Sequence, residues 1–421
     1  MGYDMNNSIS LRKTLTVESL FDNLIWLLAA ALFATFYIMN QNIYGSYIQI
    51  GITALILLLM FAKGRGKIYI RFDAFHWFVL GFAAYVAMTA LWAQSSSNAV
   101  QKATTIVEIL LCMTVLYWHY SHKDSTEKLL KAVMWGSYVI VLYTLMQYGL
   151  DGIMEAVENE ERFSVEFANI NAVSMVSSVA VVINIHFWRR KIQRVSAVFA
   201  LPALLVVGAS GSRKALVLLL LGFVLVYLFD LRSKNAVIQV FKVLLFAVIA
   251  LAVIRLILML PVFSVAANRL DRMIQGFLGT GDADSSTKKR MMYVEYGWKI
   301  FKQYPIFGVG YNNTYLHMDA LIGDGNYLHN NFLEVLASGG IVGFIIYYAK
   351  YVYLIVMLFR LKLHNHKHSP VVMALLLVLL VMDWGVVSYY SKQTYFYLML
   401  YFVHLQNVKR EIRVHADQKT A

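Results

Sequence analysis

Twelve apolar stretches divide this chain of 421 residues, near 21–39, 43–62, 74–93, 103–120, 132–149, 168–188, 195–209, 214–229, 238–260, 330–359, 370–388 and 394–408. Most are close to the roughly 20 residues that an α-helix needs to cross the hydrocarbon core of a bilayer. The expected fold is therefore all-α, a polytopic membrane helix bundle of about 12 transmembrane helices. Composition agrees, with 59% hydrophobic and 14% charged residues, far from the balance of a soluble domain.

Positive charge orients the bundle. With the N-terminus inside, the inner segments hold 23 of the 37 Lys and Arg residues, among them Arg189, Arg190, Lys191 and Arg194, and Lys409, Arg410, Arg413 and Lys419. Cytoplasmic loops carry such an excess, so both termini are expected in the cytoplasm. Topology thus explains much of the net charge of +13, and nucleic acid is not implied. On the outer side, cations concentrate between Pro261 and Leu328. That segment, 261–328, is expected to form a helical extracytoplasmic loop subdomain between spans 9 and 10 of a single integral membrane domain covering 1–421. A basic cluster there calls for an anionic ligand or for the headgroups of membrane lipids. The polar start through Ser19 precedes an apolar stretch long enough to stay as an anchor, so no cleaved signal peptide is expected. Cys112, the single cysteine, lies in a span and offers neither a disulfide nor a thiolate metal site.

Three places carry possible chemistry. Between two spans, GASGSRKA at 208–215 makes a tight turn with Arg213 at the mouth of a helix. Arg213, aided by Lys214, is either an interfacial anchor or a phosphate ligand. Further on, the polar run Asp282 to Thr287 offers N-caps for an amphipathic helix ended by Pro305. Arg290 shares its apolar face with Tyr293, Val294, Gly297, Trp298 and Phe301, while Glu295, Lys299 and Lys302 face away. The third place is His329, followed by Asn330 and Asn331 at the outer end of the tenth span. A lone histidine there is more often structural, but the topology puts Arg213, Arg290 and His329 on one side of the membrane.

Three motifs in this order, SGSRKA between two spans, an arginine ahead of W-x-I-F-x-x-x-P-I-F-G-V-G, and HNNFLEVLASGGIVG, resemble the O-antigen ligase and polymerase family of bacterial membrane glycosyltransferases. The likeness covers about 208–345. It implies a metal-independent, cofactor-free transfer of a glycan from an undecaprenyl-pyrophosphate carrier, on the outer side of the bacterial cytoplasmic (inner) membrane. It implies further that Arg213 and Arg290 bind the pyrophosphate and that His329 acts on the acceptor hydroxyl. Lys214, Tyr293, Asn330 and Asp383, the last nearest the outer face, are possible cavity residues beside them. A polymerase is favoured over a ligase because polymerases form the broader branch. Such an enzyme would work beside a flippase and a chain-length regulator.

The chemistry asks for the same residue types. Negative charge grows on a departing pyrophosphate, which a guanidinium meets with paired donors, and an imidazole with a pKa near 6.5 accepts a proton near neutrality. Glu334 is not expected to orient His329, because five residues along one helix place it about 140° away.

Rival features read more simply. The D-x-D of Asp282, Ala283 and Asp284 reads as a solvated loop and cap, not a metal site. His364, His366 and His368 read as a solvated inner loop, and Asp151 to Glu166 as a soluble acidic outer loop. Asp22, Glu108, Arg255 and Asp383 sit in or near spans, where ionisable groups pair or line a path. A flippase or transporter should show repeat symmetry and broken helices in both halves, and a bundle that only recruits partners would leave Arg290 and His329 replaceable.

Overall fold

The computed structural model describes residues 17–122, 125–159, 161–231, 236–278, 285–361 and 366–420. Asp282, Ala283, Asp284, Glu160 and His364 lie outside the described residues. Those described form helices joined by short turns, with no strand among them. In chain order the helices are α1 (Val17–Ile38), α2 (Gly45–Lys63), α3 (Ala74–Met88), α4 (Ser96–Tyr120), α5 (Thr126–Glu158), α6 (Ile170–Arg189), α7 (Ala200–Ala209), α8 (Arg213–Asp230), α9 (Ala236–Leu258), α10 (Ser264–Leu278), α11 (Ser285–Gln303), α12 (Thr314–Ile322), α13 (Asn331–Arg360), α14 (Ser369–Met382) and α15 (Lys392–Thr420).

Each of the twelve expected stretches falls on a helix, and among the described residues seven helices, α1 to α6 and α13, are long and apolar enough to cross a membrane. Two of the remaining helices are interrupted. α8 carries Arg213, Lys214 and Asp230 within its 18 residues. α14 stops at Met382, where the carbonyls of Leu380, Val381 and Met382 accept the N–H groups of Asp383, Trp384 and Gly385 in a tightening turn. The acidic stretch after the fifth span is helical up to Glu158, beyond a bend at Gly149, with Asp151, Glu155 and Glu158 exposed.

A large core joins α1, α3 to α8 and α13 to α15. A second, small core of Tyr293, Ile300, Val309, Met318, Leu328, Leu333 and Ala337 binds α11 and α12 to the first turns of α13. The packed face of α11 is rotated from the expected one: Tyr293, Gly297 and Ile300 are buried and Trp298 is exposed. Gly297 sets that rotation, since a Cβ there would stand 2.6 Å from Leu333 Cδ2 and 2.8 Å from Leu328 Cδ1.

α13 is not continuous. It breaks at Gly340 (φ 62°, ψ −167°), and the segment after Pro305 threads the break. Val309 N–H donates to Ala337 O at 2.9 Å and Gly310 N–H to Ser338 O at 2.8 Å, while Ile341 N–H donates to Pro305 O at 2.9 Å. The backbone groups freed by the break are thereby satisfied, as they must be in an apolar setting. The nine residues from Asn331 to Gly339 are thus pinned as a separate turn of helix above the longer part.

Candidate active site

The ends of five segments meet around one cavity of about 610 Å3. α8 contributes Arg213 and Lys214, α10 Met273, α11 Thr287, Arg290 and Val294, the connector before α13 Leu328, His329 and Asn330, and the end of α14 with its following turn Met382, Trp384 and Gly385. Five residues singled out from the sequence, Arg213, Lys214, Arg290, His329 and Asn330, line this single space.

Arg213 is delivered by a sharp turn. α7 ends at Ala209, Gly211 takes φ 57°, and Ser212 caps α8 by accepting from the Ala215 N–H. The side chain is 6% exposed and donates from Nη1 to the Arg269 carbonyl and to the Thr287 hydroxyl, both at 3.1 Å. It therefore ties α8 to both α10 and α11. Two more arginines brace the turn: Arg162 Nε donates to Ser210 O at 3.2 Å, and Arg269 Nη1 to Gly211 O at 3.0 Å. On the opposite wall Lys214 Nζ donates to the Gly385 carbonyl.

His329 does not lead a helix. Its φ is 56°, in the left-handed region, and α13 begins two residues later, with Asn330 as N-cap accepting from Leu333 N at 3.1 Å. Strained backbone of this kind clusters at functional sites. The half-buried ring lies parallel to Tyr293, with centroids 5.5 Å apart and planes at 8°, and Tyr327 leans on it at 4.2 Å. Tyr293 is fixed in turn by its hydroxyl, which donates to Asp324 Oδ2 at 2.7 Å. Lys289 and Asn326 also bind that carboxylate, at 2.8 Å and 2.7 Å, and these hydrogen bonds hold Asp324 down at about 2. Burial, and then the charges of Lys214, Arg290 and Lys289, push His329 down to about 4. The imidazole is thereby held on its neutral side at physiological pH, not poised near 6.5.

Two of the expected cavity residues sit elsewhere. Tyr293 is 1% exposed and lies against His329 instead of lining the space. Asp383 opens onto a separate cavity of about 140 Å3, between α6, α14 and α15. There its carboxylate accepts from Ser388 Oγ at 2.6 Å, Tyr348 at 3.1 Å and Asn331 Nδ2 at 3.1 Å, which clamps the start of α13 to the connector after α14. Sequence reasoning missed Asp324, Tyr327 and Thr287 as supports. The Asp324-Gly325-Asn326 turn signal was available for the first, but nothing local says which ring a turn will hold.

The remaining ionisable residues are placed apart from the cavity. Asp22 pairs with Lys63 and lies 3.5 Å from His119 Nε2. Glu108 lines a small space near Cys112 and Lys392, and Arg255 is exposed. His366 and His368 are not in a solvated loop: His366 meets Glu411, and His368, 6% exposed, lies 3.2 Å from His186 and 3.4 Å from Glu127. These contacts turn the residues before α14 inward. Among the described residues no group of three or more His, Cys, Asp or Glu is placed to hold a metal ion.

Residues 196–348 match the sequence profile of a family described as O-antigen ligase. That interval holds Arg213, Lys214, Arg290, His329 and Asn330. No curated protein matches the chain.

Proposed function

The match over residues 196–348 supports assignment of this chain to the O-antigen ligase/polymerase family, and from that premise we propose that the cavity around His329 transfers a glycan from an undecaprenyl-pyrophosphate carrier to a sugar hydroxyl. The family suggests a glycosyltransferase-like enzyme, and the apolar helices suggest a bacterial inner-membrane protein. The observation that carries the reading is the convergence of Arg213, Lys214 and Arg290 with the His329 imidazole in one cavity. Its wall also includes Val217, Met273, Val294, Val381 and Trp384, an apolar side suited to a polyprenyl tail.

In this reaction the acceptor oxygen attacks the anomeric carbon. The bond from that carbon to the pyrophosphate oxygen breaks, and its electron pair leaves with the lipid pyrophosphate. Arg213 and Arg290 stabilise the charge that develops on the leaving group, as preorganised donors do best in a site with little water. His329 takes the hydroxyl proton and returns it to water or to the departing phosphate. The pyrophosphate itself offsets the positive field of Lys214, Arg290 and Lys289, so the imidazole is a stronger base with donor bound than without. In this reading the cavity opens to the outer side of the membrane, about 12 helices span it, and both termini lie in the cytoplasm.

The acceptor we favour is the next lipid-linked repeat unit, which makes the protein a polysaccharide polymerase working beside a flippase and a chain-length regulator. The family description favours a second reading, a ligase that moves the glycan to a lipid core. One reconstitution separates them. The purified protein is given a single lipid-pyrophosphate-linked repeat unit, and products are resolved by length beside His329→Ala and Arg290→Ala. A ladder made by the unmutated protein alone supports the polymerase. Transfer only after a lipid-core acceptor is added supports the ligase, and no transfer with either acceptor returns the problem to transport.

A further inference from the structure

The residue that presents the imidazole is held from a direction the chemistry itself does not use. His329 stands in the left-handed region, and a residue with a side chain stays there only when its flanks are over-determined. Behind it, Leu328 N–H donates to Glu334 Oε2 at 2.9 Å, and the other oxygen of that carboxylate takes the Thr314 hydroxyl. Ahead of it, Asn331 N–H donates to the Asp383 carbonyl at 2.7 Å. Glu334 is 2% exposed and Thr314 1% exposed. A carboxylate sunk this deep is costly unless hydrogen bonds use its lone pairs, and both of its oxygens are engaged with the connector and with α12. The helical angle that separated Glu334 from His329 in the sequence does not apply, since His329 precedes the helix and Glu334 reaches the backbone beside it.

We propose that Glu334 is a positioning residue for glycan transfer: through the Leu328 N–H and the Thr314 hydroxyl it fixes the strained backbone that aims His329 into the cavity with Arg213, Lys214 and Arg290. This rests on the reading of that cavity as the transfer site. The contacts join three elements, the connector, α12 and the first turn of α13, so the small core is rigidly coupled to the imidazole.

The test uses the full-length protein in the same assay with one lipid-linked repeat unit, supplemented by the lipid-core acceptor if that is required. Glu334→Ala is expected to lower kcat by about 100-fold, the scale of a misplaced reacting group, with the KM for the donor little changed because Arg213 and Arg290 are untouched. Glu334→Gln should recover most of the rate, its amide oxygen accepting from Leu328 and its amide N–H donating to Thr314. In a His329→Ala background, Glu334→Ala should cost nothing further, as expected of residues that act as a unit. An unchanged kcat in folded Glu334→Ala overturns the inference, and so does an equal loss with and without His329, or a donor KM that rises in step with the fall in kcat. If Glu334→Ala does not fold, Thr314→Val removes one of the two contacts and should lower kcat about 10-fold only where His329 is present; no change there also overturns it. Full transfer by His329→Ala itself would instead sink the underlying reading of the cavity.

Discussion

The two ends of α8 and α14 treat charge in opposite ways. At one end Asp230 takes Arg189 at 3.0 Å and also Arg190, while Glu127 takes Lys131 at 2.8 Å and Lys367 at 3.0 Å, with His368 close by. At the other end, Lys214 donates to a carbonyl oxygen, and Arg162 to the Ser210 carbonyl and, at 2.8 Å, to Asn171 Oδ1. A carboxylate cancels the charge that it orients. A neutral oxygen orients the charge and leaves it for something else. The first end fastens helices together, and the second holds cations at fixed positions around a space.

That comparison breaks most directly by crossing it. Arg290→Ala, at the cavity, is expected to lower transfer by roughly 100- to 1,000-fold, the scale of removing one charge-stabilising donor, with little change in melting temperature. Glu127→Gln, at the paired end, should leave transfer intact and lower the melting temperature by about 2 to 4 °C, since the lysines around it lose their counter-charge. Rates and melting curves on both variants in one detergent decide the matter. If Glu127→Gln lost transfer as severely as Arg290→Ala, the two ends would not be functionally distinct.

The difference between the ends was only partly legible in the sequence. Apolar runs foretold the helices, because burial in lipid demands continuous apolar length whatever the neighbours are. The ordered motifs pointed to Arg213, Arg290 and His329. Pairing is not legible: the loop of His364, His366 and His368 reads as solvated, although His366 and His368 turn inward to Glu411 and Glu127. Nor was the break in α13, since Ser338-Gly339-Gly340 reads as a tolerable flaw in a long apolar run until the segment after Pro305 is seen to thread it. Asp383 was placed with His329 by topology alone, which fixes depth along the bundle but not the side of a connector that a carboxylate faces. The pKa of His329 is not legible for a related reason, because the cations that lower it come from α8 and α11, apart from it in the sequence.

That field gives a sharper test. His329 meets Lys214 from α8, Arg290, Lys289 and Tyr293 from α11, and Asp324 and Tyr327 from its own connector. With the imidazole at about 4, kcat/KM should show no acid limb near 6.5 and should fall through loss of the base only as the pH nears 4. It does so because a base works unprotonated and kcat/KM reports the free enzyme. The acid limb of kcat should lie at higher pH, because bound pyrophosphate offsets the cations. Lys214→Met should move the kcat/KM limb upward, toward the ordinary histidine range. An acid limb near 6.5 in the unmutated protein would show that the cations do not govern the imidazole.

A smaller effect is expected where the arginines act one step removed. Arg269 braces the turn at Gly211 and accepts from Arg213 through its own carbonyl, so Arg269→Ala removes the brace and leaves that carbonyl in place. The donor KM should rise about 10-fold, the size of one charge-assisted hydrogen bond, with kcat nearly unchanged. A fall in kcat comparable with that of Arg290→Ala would put Arg269 in contact with the reacting phosphate.

The smallest effect is expected at Asp282 and Asp284, which combine the spacing of a metal-binding D-x-D with the chemistry of a loop and helix cap. The two readings separate because a carboxylate that holds a divalent ion cannot be replaced by an amide without loss of affinity, whereas asparagine caps a helix about as well as aspartate. Replacing both residues by asparagine should therefore leave transfer unchanged, and a chelator in the assay should do no more. In the proposed reaction the charge on the leaving pyrophosphate is met by the guanidinium groups of Arg213 and Arg290, a role that a metal would otherwise fill. A loss of transfer in the double variant, modulated by added divalent ion, would transfer that role from the arginines to the loop and remove the reason for keeping one end of the bundle positively charged.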